Sequence, residues 1–171
     1  LGTTEVKLLK NGILKNVCVE GMYQAAVKGN TELGLQIPED KIIATFHNIE
    51  GGIREDIETG EITYGDVYAP FPFDNEVVLY KVKGKVFKDK FTKFNKYAVR
   101  RTFDNKNELD DNTDYYLVLT DFIALSTSYV SGIFTITEDD LIRTGKTVRD
   151  EIAKLIYKTE TIKKDTFPVG K

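Results

Sequence analysis

The 171 residues contain no tryptophan, one cysteine, one methionine, one histidine and four prolines. A single thiol, Cys18, permits no internal disulfide, so a fold of this size has to be held by its core. The apolar neighbours of Cys18 in a helix-like stretch mark it as a small buried hydrophobe, not a nucleophile. No apolar run approaches the ~20 residues that span a bilayer, and the chain opens on no signal-peptide pattern. Leu1 stands where an initiating Met would be, which marks a processed form or an excised piece. A targeting segment ahead of it would then be invisible. The basic surplus of a nucleic-acid binder is missing too: 24 basic residues against 27 acidic ones leave a net charge of −3.

The histidine count excludes most. A dinuclear metal hydrolase draws on several His and Asp ligands, and here only His47 is available, with no cysteine cluster to help it. No metal ligand and no catalytic residue is therefore assigned, and His47 is read as structural. The Asp/Asn-rich stretch 104–114 resembles a calcium loop but has Leu109 where glycine is needed and Tyr115 where glutamate is needed, which excludes an EF-hand. Neither GxxxxGK[ST] nor a strand-borne GxGxxG occurs.

Nine tyrosines and ten phenylalanines are what the chain does have. Leu14 to about Lys28 puts Leu14, Val17, Cys18, Met22, Ala25 and Ala26 on one helical face, with a stop at Gly29-Asn30. KIIATFH (41–47) reads as a strand leading into the loop IEGGIRED (49–56). There Gly51 and Gly52 let backbone approach a ligand closely, and Arg54 follows as a cation suited to an anion. A β-prone piece at 61–64 precedes a stretch to Asn75 read as loop, because Pro70 and Pro72 forbid a regular helix. EVVLYKV (76–82) reads as a strand. Residues 81–96 read as an amphipathic helix with a solvated lysine face and a Phe87/Phe91/Phe94 core stripe.

Further strands are expected at 97–102, 115–124 and near 132–137. A final helix spans about 148–158, capped by Thr147 with Asp150 three residues on, and a loose tail covers roughly 161–171. Strands and helices mixed without strict alternation point to a single α+β domain, a mixed β-sheet packed with helices, over 1–171.

The succession GGIR, GEITYGDVY (60–68) and PFDNEVVLYKVKG (72–84), with LKNVCVEGM (14–22) before it and TGKTVRDEIAKLI (144–156) after it, resembles the C-terminal, substrate-binding domain of the 5'-nucleotidase and UDP-sugar hydrolase family. The resemblance implies a domain that grips a nucleotide or nucleoside, while two divalent metal ions sit in a separate N-terminal metallophosphoesterase domain that performs the hydrolysis. It implies that this chain is inactive alone and holds no cofactor, and that its parent is secreted, periplasmic or displayed on the cell surface. By position, Arg54 matches an arginine on the phosphate side, Phe73 and Phe122 match two rings that sandwich the base, and Asn75 matches the polar residue closing the PFDN motif.

Three positions depart from the pattern. Lys10 stands for an arginine ahead of the first helix. Ile49 stands where the glycine loop begins with asparagine, leaving Asn48 one place early. Ser128 replaces a carboxylate that accepts from ribose hydroxyls. These departures leave a second reading open, a non-catalytic interaction or structural module of the same fold.

Overall fold

The computed structural model describes residues 1–168. Strand β1 (Gly2–Thr4) precedes helix α1 (Ile13–Glu32) and strand β2 (Ile42–Asn48). Next come β3 (Gly60–Ile62), the short helix α2 (Tyr64–Tyr68), β4 (Glu76–Lys83) and α3 (Gly84–Lys90), the last continued by a 3₁₀ turn at Phe91–Phe94. After β5 (Tyr97–Arg101) and β6 (Asp114–Thr120) the chain makes two helical turns, α4 (Asp121–Leu125) and α5 (Ser131–Phe134). It finishes with β7 (Leu141–Thr147), α6 (Val148–Thr159) and β8 (Thr161–Ile162). The main sheet runs in the order β5-β2-β6-β4-β7, with β2 and β6 parallel and the other neighbours antiparallel. A small sheet, β3-β1-β8, stands apart from it.

The main sheet is buried on both faces because its strands alternate apolar residues of both parities. On β4, Val77 and Leu79 join Leu14, Cys18, Met22 and Ile152 in the core under α1 and α6. Val78 and Val82 point the other way, into a core with Phe46, Phe87, Phe94 and Leu119. Every residue of β2 is buried, which accounts for its lack of an alternating exposed polar face. In the aromatic core the rings of Phe46 and Phe94 stack with centroids 4.1 Å apart, and Phe87 meets Phe103 edge-on at 5.8 Å. Cys18 is fully buried and its thiol pKa is raised by that burial, so it serves as packing.

The α+β class, with a mixed sheet packed by helices, is as expected from the sequence, and several boundaries differ for identifiable reasons. Helix α1 runs through Gly29, where the glycine serves close packing instead of a stop: a Cβ there would lie about 3.0 Å from Thr144 of β7, and Asn30 bonds the Ile37 backbone through both its amide atoms. Part of the stretch read as loop before Pro70 is helix α2, started by a reciprocal cap between Thr63 and Asp66. The expected 81–96 helix begins only at Gly84, since Lys81 to Lys83 continue the β4 ladder. The 115–124 strand stops at Thr120, where the Thr120 hydroxyl caps α4 by accepting from the Ile123 N–H.

The strand expected near 132–137 is instead α5, ended by Thr135 at φ +58°, and β7 follows it. Thr161 and Ile162, placed in a loose tail, pair as β8 with β1, whereas positions 169–171 of that tail lie outside the described residues. Among the described residues no helix is long and apolar enough to cross a membrane.

His47 sits inside β2 at 1% exposure, its Nδ1–H donating to the Asn48 carbonyl at 2.8 Å. Burial lowers its pKa to about 4. Below the ordinary value of about 6.5 the unfolded chain binds a proton that the folded one refuses, so stability falls as pH drops through that window. Unfolding free energies from urea titrations at pH 7 and pH 5 should differ by about 2 kcal/mol more in the native chain than in His47→Gln. An equal pH response in the two would refute a neutral buried imidazole.

Candidate functional site: a cavity between three loops

Beyond Asn48 the chain leaves the sheet in a tight turn closed by Gly52 and Ile53 N–H groups on the Ile49 carbonyl, at 3.3 and 3.0 Å. Two requirements explain the glycine pair. Gly51 has φ +74°, a left-handed conformation that costs a side chain energy, and a Cβ on Gly52 would fall 2.2 Å from the Asn48 carbonyl oxygen. Asn48 is buried beneath them, donating from Nδ2 to the Glu50 carbonyl at 3.2 Å. The turn delivers Arg54, whose N–H is fixed to the Pro70 carbonyl at 2.9 Å and whose guanidinium lies 5.3 Å from the centre of the Phe73 ring.

These residues open on a cavity of about 220 Å³. Asn48, Gly51, Gly52 and Arg54 line it from the glycine turn, and Phe73 and Asn75 from the segment before β4. Phe122, in the first turn of α4, and Tyr129, in the loop after it, complete the lining. Phe73 is 42% exposed and Phe122 48%, so neither ring is spent on the core. Large exposed rings facing a shared cavity are the arrangement that accepts a planar apolar group, and Arg54 adds a fixed positive charge at its rim.

All six residues predicted as the binding set, Gly51, Gly52, Arg54, Phe73, Asn75 and Phe122, come together here, and Asn48 joins them. Two other candidates stay away. Lys10 is exposed ahead of α1, its backbone N–H bonded to Asp56 at 2.7 Å, and it lines no part of this cavity. Ser128 lines an adjoining cavity of about 250 Å³ that shares Asn48 and Tyr129 with the first and adds Lys96.

Sequence reasoning missed Tyr129, whose ring packs on Phe122 with centroids 5.4 Å apart. It also missed Arg149, 9% exposed, which donates to the Phe71 and Phe73 carbonyls at 3.1 and 3.2 Å and to Asp74 at 2.5 Å. Tyr129 left no local sign beyond being an aromatic residue in a polar loop. Arg149 did leave one: a cation in the first turn of a helix opposes the helix dipole and calls for a partner.

The model of the family described as 5'-nucleotidase, C-terminal domain, matches residues 40–102. The fold is that of the 5'-nucleotidase C-terminal domain. A 5'-nucleotidase precursor from Thermus thermophilus superposes with TM-score 0.65 at 18% identity, covering 94% of this chain and 37% of that one. The NAD nucleotidase of Haemophilus influenzae superposes with TM-score 0.66 at 17% identity over 96% of this chain and 36% of its own. A sulfate thiohydrolase from Thermus thermophilus is similar over 99% of this chain and 34% of its own, at TM-score 0.50 and 12% identity.

The chain thus spans under two-fifths of the length of the solved structures it resembles. No curated protein matches it by sequence. Arg54, Phe73 and Asn75 lie within the matched residues, while Phe122 and Ser128 lie beyond them. Among the described residues of this 5'-nucleotidase C-terminal-like chain, no group of three or more His, Cys, Asp or Glu side chains is placed to hold a metal ion.

The glycine turn is open to a direct test. Gly52→Ala should lower the denaturant midpoint by an amount equivalent to about 1–3 kcal/mol, since the added methyl must displace backbone. Gly51→Ala, with open space around it, should cost only about 1 kcal/mol for its positive φ. Equal stability of Gly52→Ala and the native chain would show that the turn tolerates another path.

Proposed function

We propose that this chain is the nucleotide- or nucleoside-recognition domain of a 5'-nucleotidase-type metallophosphoesterase. The observation that carries the proposal is the convergence of two exposed rings, Phe73 and Phe122, with Arg54 on one cavity, from three separate segments of the chain. The rings would enclose the base, Asn75 would hydrogen-bond its edge, and the Arg54 guanidinium would face the phosphate. In this reading hydrolysis falls to a metallophosphoesterase domain of the parent protein that holds two divalent metal ions. The parent works outside the cytoplasm, at the surface, in the periplasm or secreted. The solved 5'-nucleotidase it resembles is a precursor.

One set of observations favours a different reading, a module that keeps the fold without the ligand. Lys10 and Ser128 lie off the cavity, and the same fold occurs in a sulfate thiohydrolase. Titration separates the two. AMP and adenosine added to the chain should shift the amide and ring resonances of Phe73, Phe122 and Tyr129, and Arg54→Ala should weaken AMP several-fold more than adenosine. Phe73→Leu and Phe122→Leu should each weaken both ligands by roughly twofold to tenfold, the worth of a single stacked ring. No resonance shift with AMP, adenosine or a UDP-sugar at millimolar concentration would leave the ligand-free module as the function.

A further inference from the structure

The rings of Phe73 and Phe122 stand on segments that carry no strand pairing of their own, yet a pair of stacking surfaces works only at a set separation. Beyond the β4–β6 ladder that brings them to one end of the sheet, one carboxylate links the segments. Asp121 Oδ1 accepts the N–H of Glu76 at 3.0 Å and the N–H of Phe122 at 2.9 Å, tying the end of the Phe73 segment to the residue that carries the second ring. Asp121 Oδ2 accepts from Arg143 Nη1 at 3.3 Å, and the same nitrogen reaches Glu76 Oε2 at 3.2 Å. Arg143 is itself held in place by Glu138, through Nε at 2.5 Å and Nη2 at 2.9 Å.

The Phe73 segment is anchored a second time from α6. The Arg149 fork grips Phe71, Phe73 and Asp74, its Nε donates to the Tyr64 hydroxyl at 2.9 Å, and the Val148 N–H donates to the Asn75 carbonyl at 2.9 Å. Only a planar guanidinium offers donors in the directions that two carbonyls, a carboxylate and a hydroxyl require.

We propose that Asp121 and Arg149 are positioning residues that set the separation and tilt of the two rings, acting through backbone and without touching ligand. The proposal rests on the reading that those rings enclose a base. Neither residue lines the cavity, and each bonds the backbone of a segment that does. An aspartate at the start of α4 also complements the helix end, a purely structural role, so the test must tell the two apart.

Asp121→Ala, Asp121→Asn and Arg149→Lys in the 171-residue chain supply that test, with adenosine as the probe. Hydrogen exchange at the Glu76 and Phe122 amides should speed up roughly tenfold or more in Asp121→Ala, while Leu117 and Leu119 within the β6 ladder keep their native protection. The adenosine Kd should rise roughly tenfold in Asp121→Ala and in Arg149→Lys, and Asp121→Asn, which retains the amide-accepting oxygen, should recover most of the loss. Native affinity in Asp121→Ala or Arg149→Lys overturns the proposal. So does exchange that speeds equally at Glu76 and Leu119, which would signify global destabilisation. Failure of the native chain to bind adenosine is a separate result: it removes the base-enclosing reading, and the proposal with it.

Discussion

The pairing of β4 with β6 is the constraint on which the rest of the molecule depends. Seven successive partners, from Val77 opposite Thr120 to Lys83 opposite Asp114, lock the two strands in register. A slip by one residue would turn Val77 and Leu79 out of the core beneath α1 and α6 and exchange them with Val78 and Tyr80. The same ladder decides where the cavity can be. Because the strands are antiparallel and end together at Val77 and Thr120, the chain entering β4 and the chain leaving β6 occupy the same end of the sheet. Phe73 and Asn75 arrive on one, and Phe122 departs on the other. Their proximity is inherited from the sheet, and the carboxylate of Asp121 refines it locally.

Much of this was legible in the chain because burial and turn chemistry are local signals. The KIIATFH run, the EVVLYKV run and the Thr147/Asp150 cap each specify their element without reference to distant partners, and each is found in place. The misreadings share a cause. Gly29 looks like a helix stop until Thr144 is known to press against it, and YYLVLTDFIA looks like one long strand until the Thr120 hydroxyl turns it into α4. The segment 132–137 has β-prone residues, but Ser131 Oγ bonds both the N–H and the carbonyl of Ile136 and curls it instead.

At the cavity, the sequence candidates came from the glycine turn, the PFDN string and, for Phe122, the family resemblance. Tyr129 and the bonds of Asp121, Arg143 and Arg149 depend on contacts between residues up to 85 positions apart, which no local pattern encodes.

The cavity also separates a backbone-built frame from the side chains that line it. The β4–β6 ladder and the glycine turn are built from backbone requirements: register, a positive φ at Gly51, and no room for a Cβ at Gly52. Side chains that meet solvent in the cavity, Arg54, Phe73 and Phe122, are not needed for packing and could change without disturbing the layers below. The fold itself is shared with two nucleotidases and a sulfate thiohydrolase.

The placement of Arg54 over Phe73 has a consequence for the protein as a colloid. A phenylalanine 42% open to water is an adhesive surface, and two such rings around one cavity would invite a second molecule to cover them. A guanidinium 5.3 Å from the ring centre sets a permanent positive charge over that surface. A second copy approaching through the same face would therefore bring one Arg54 charge towards another, which opposes pairing of the two Phe73 surfaces.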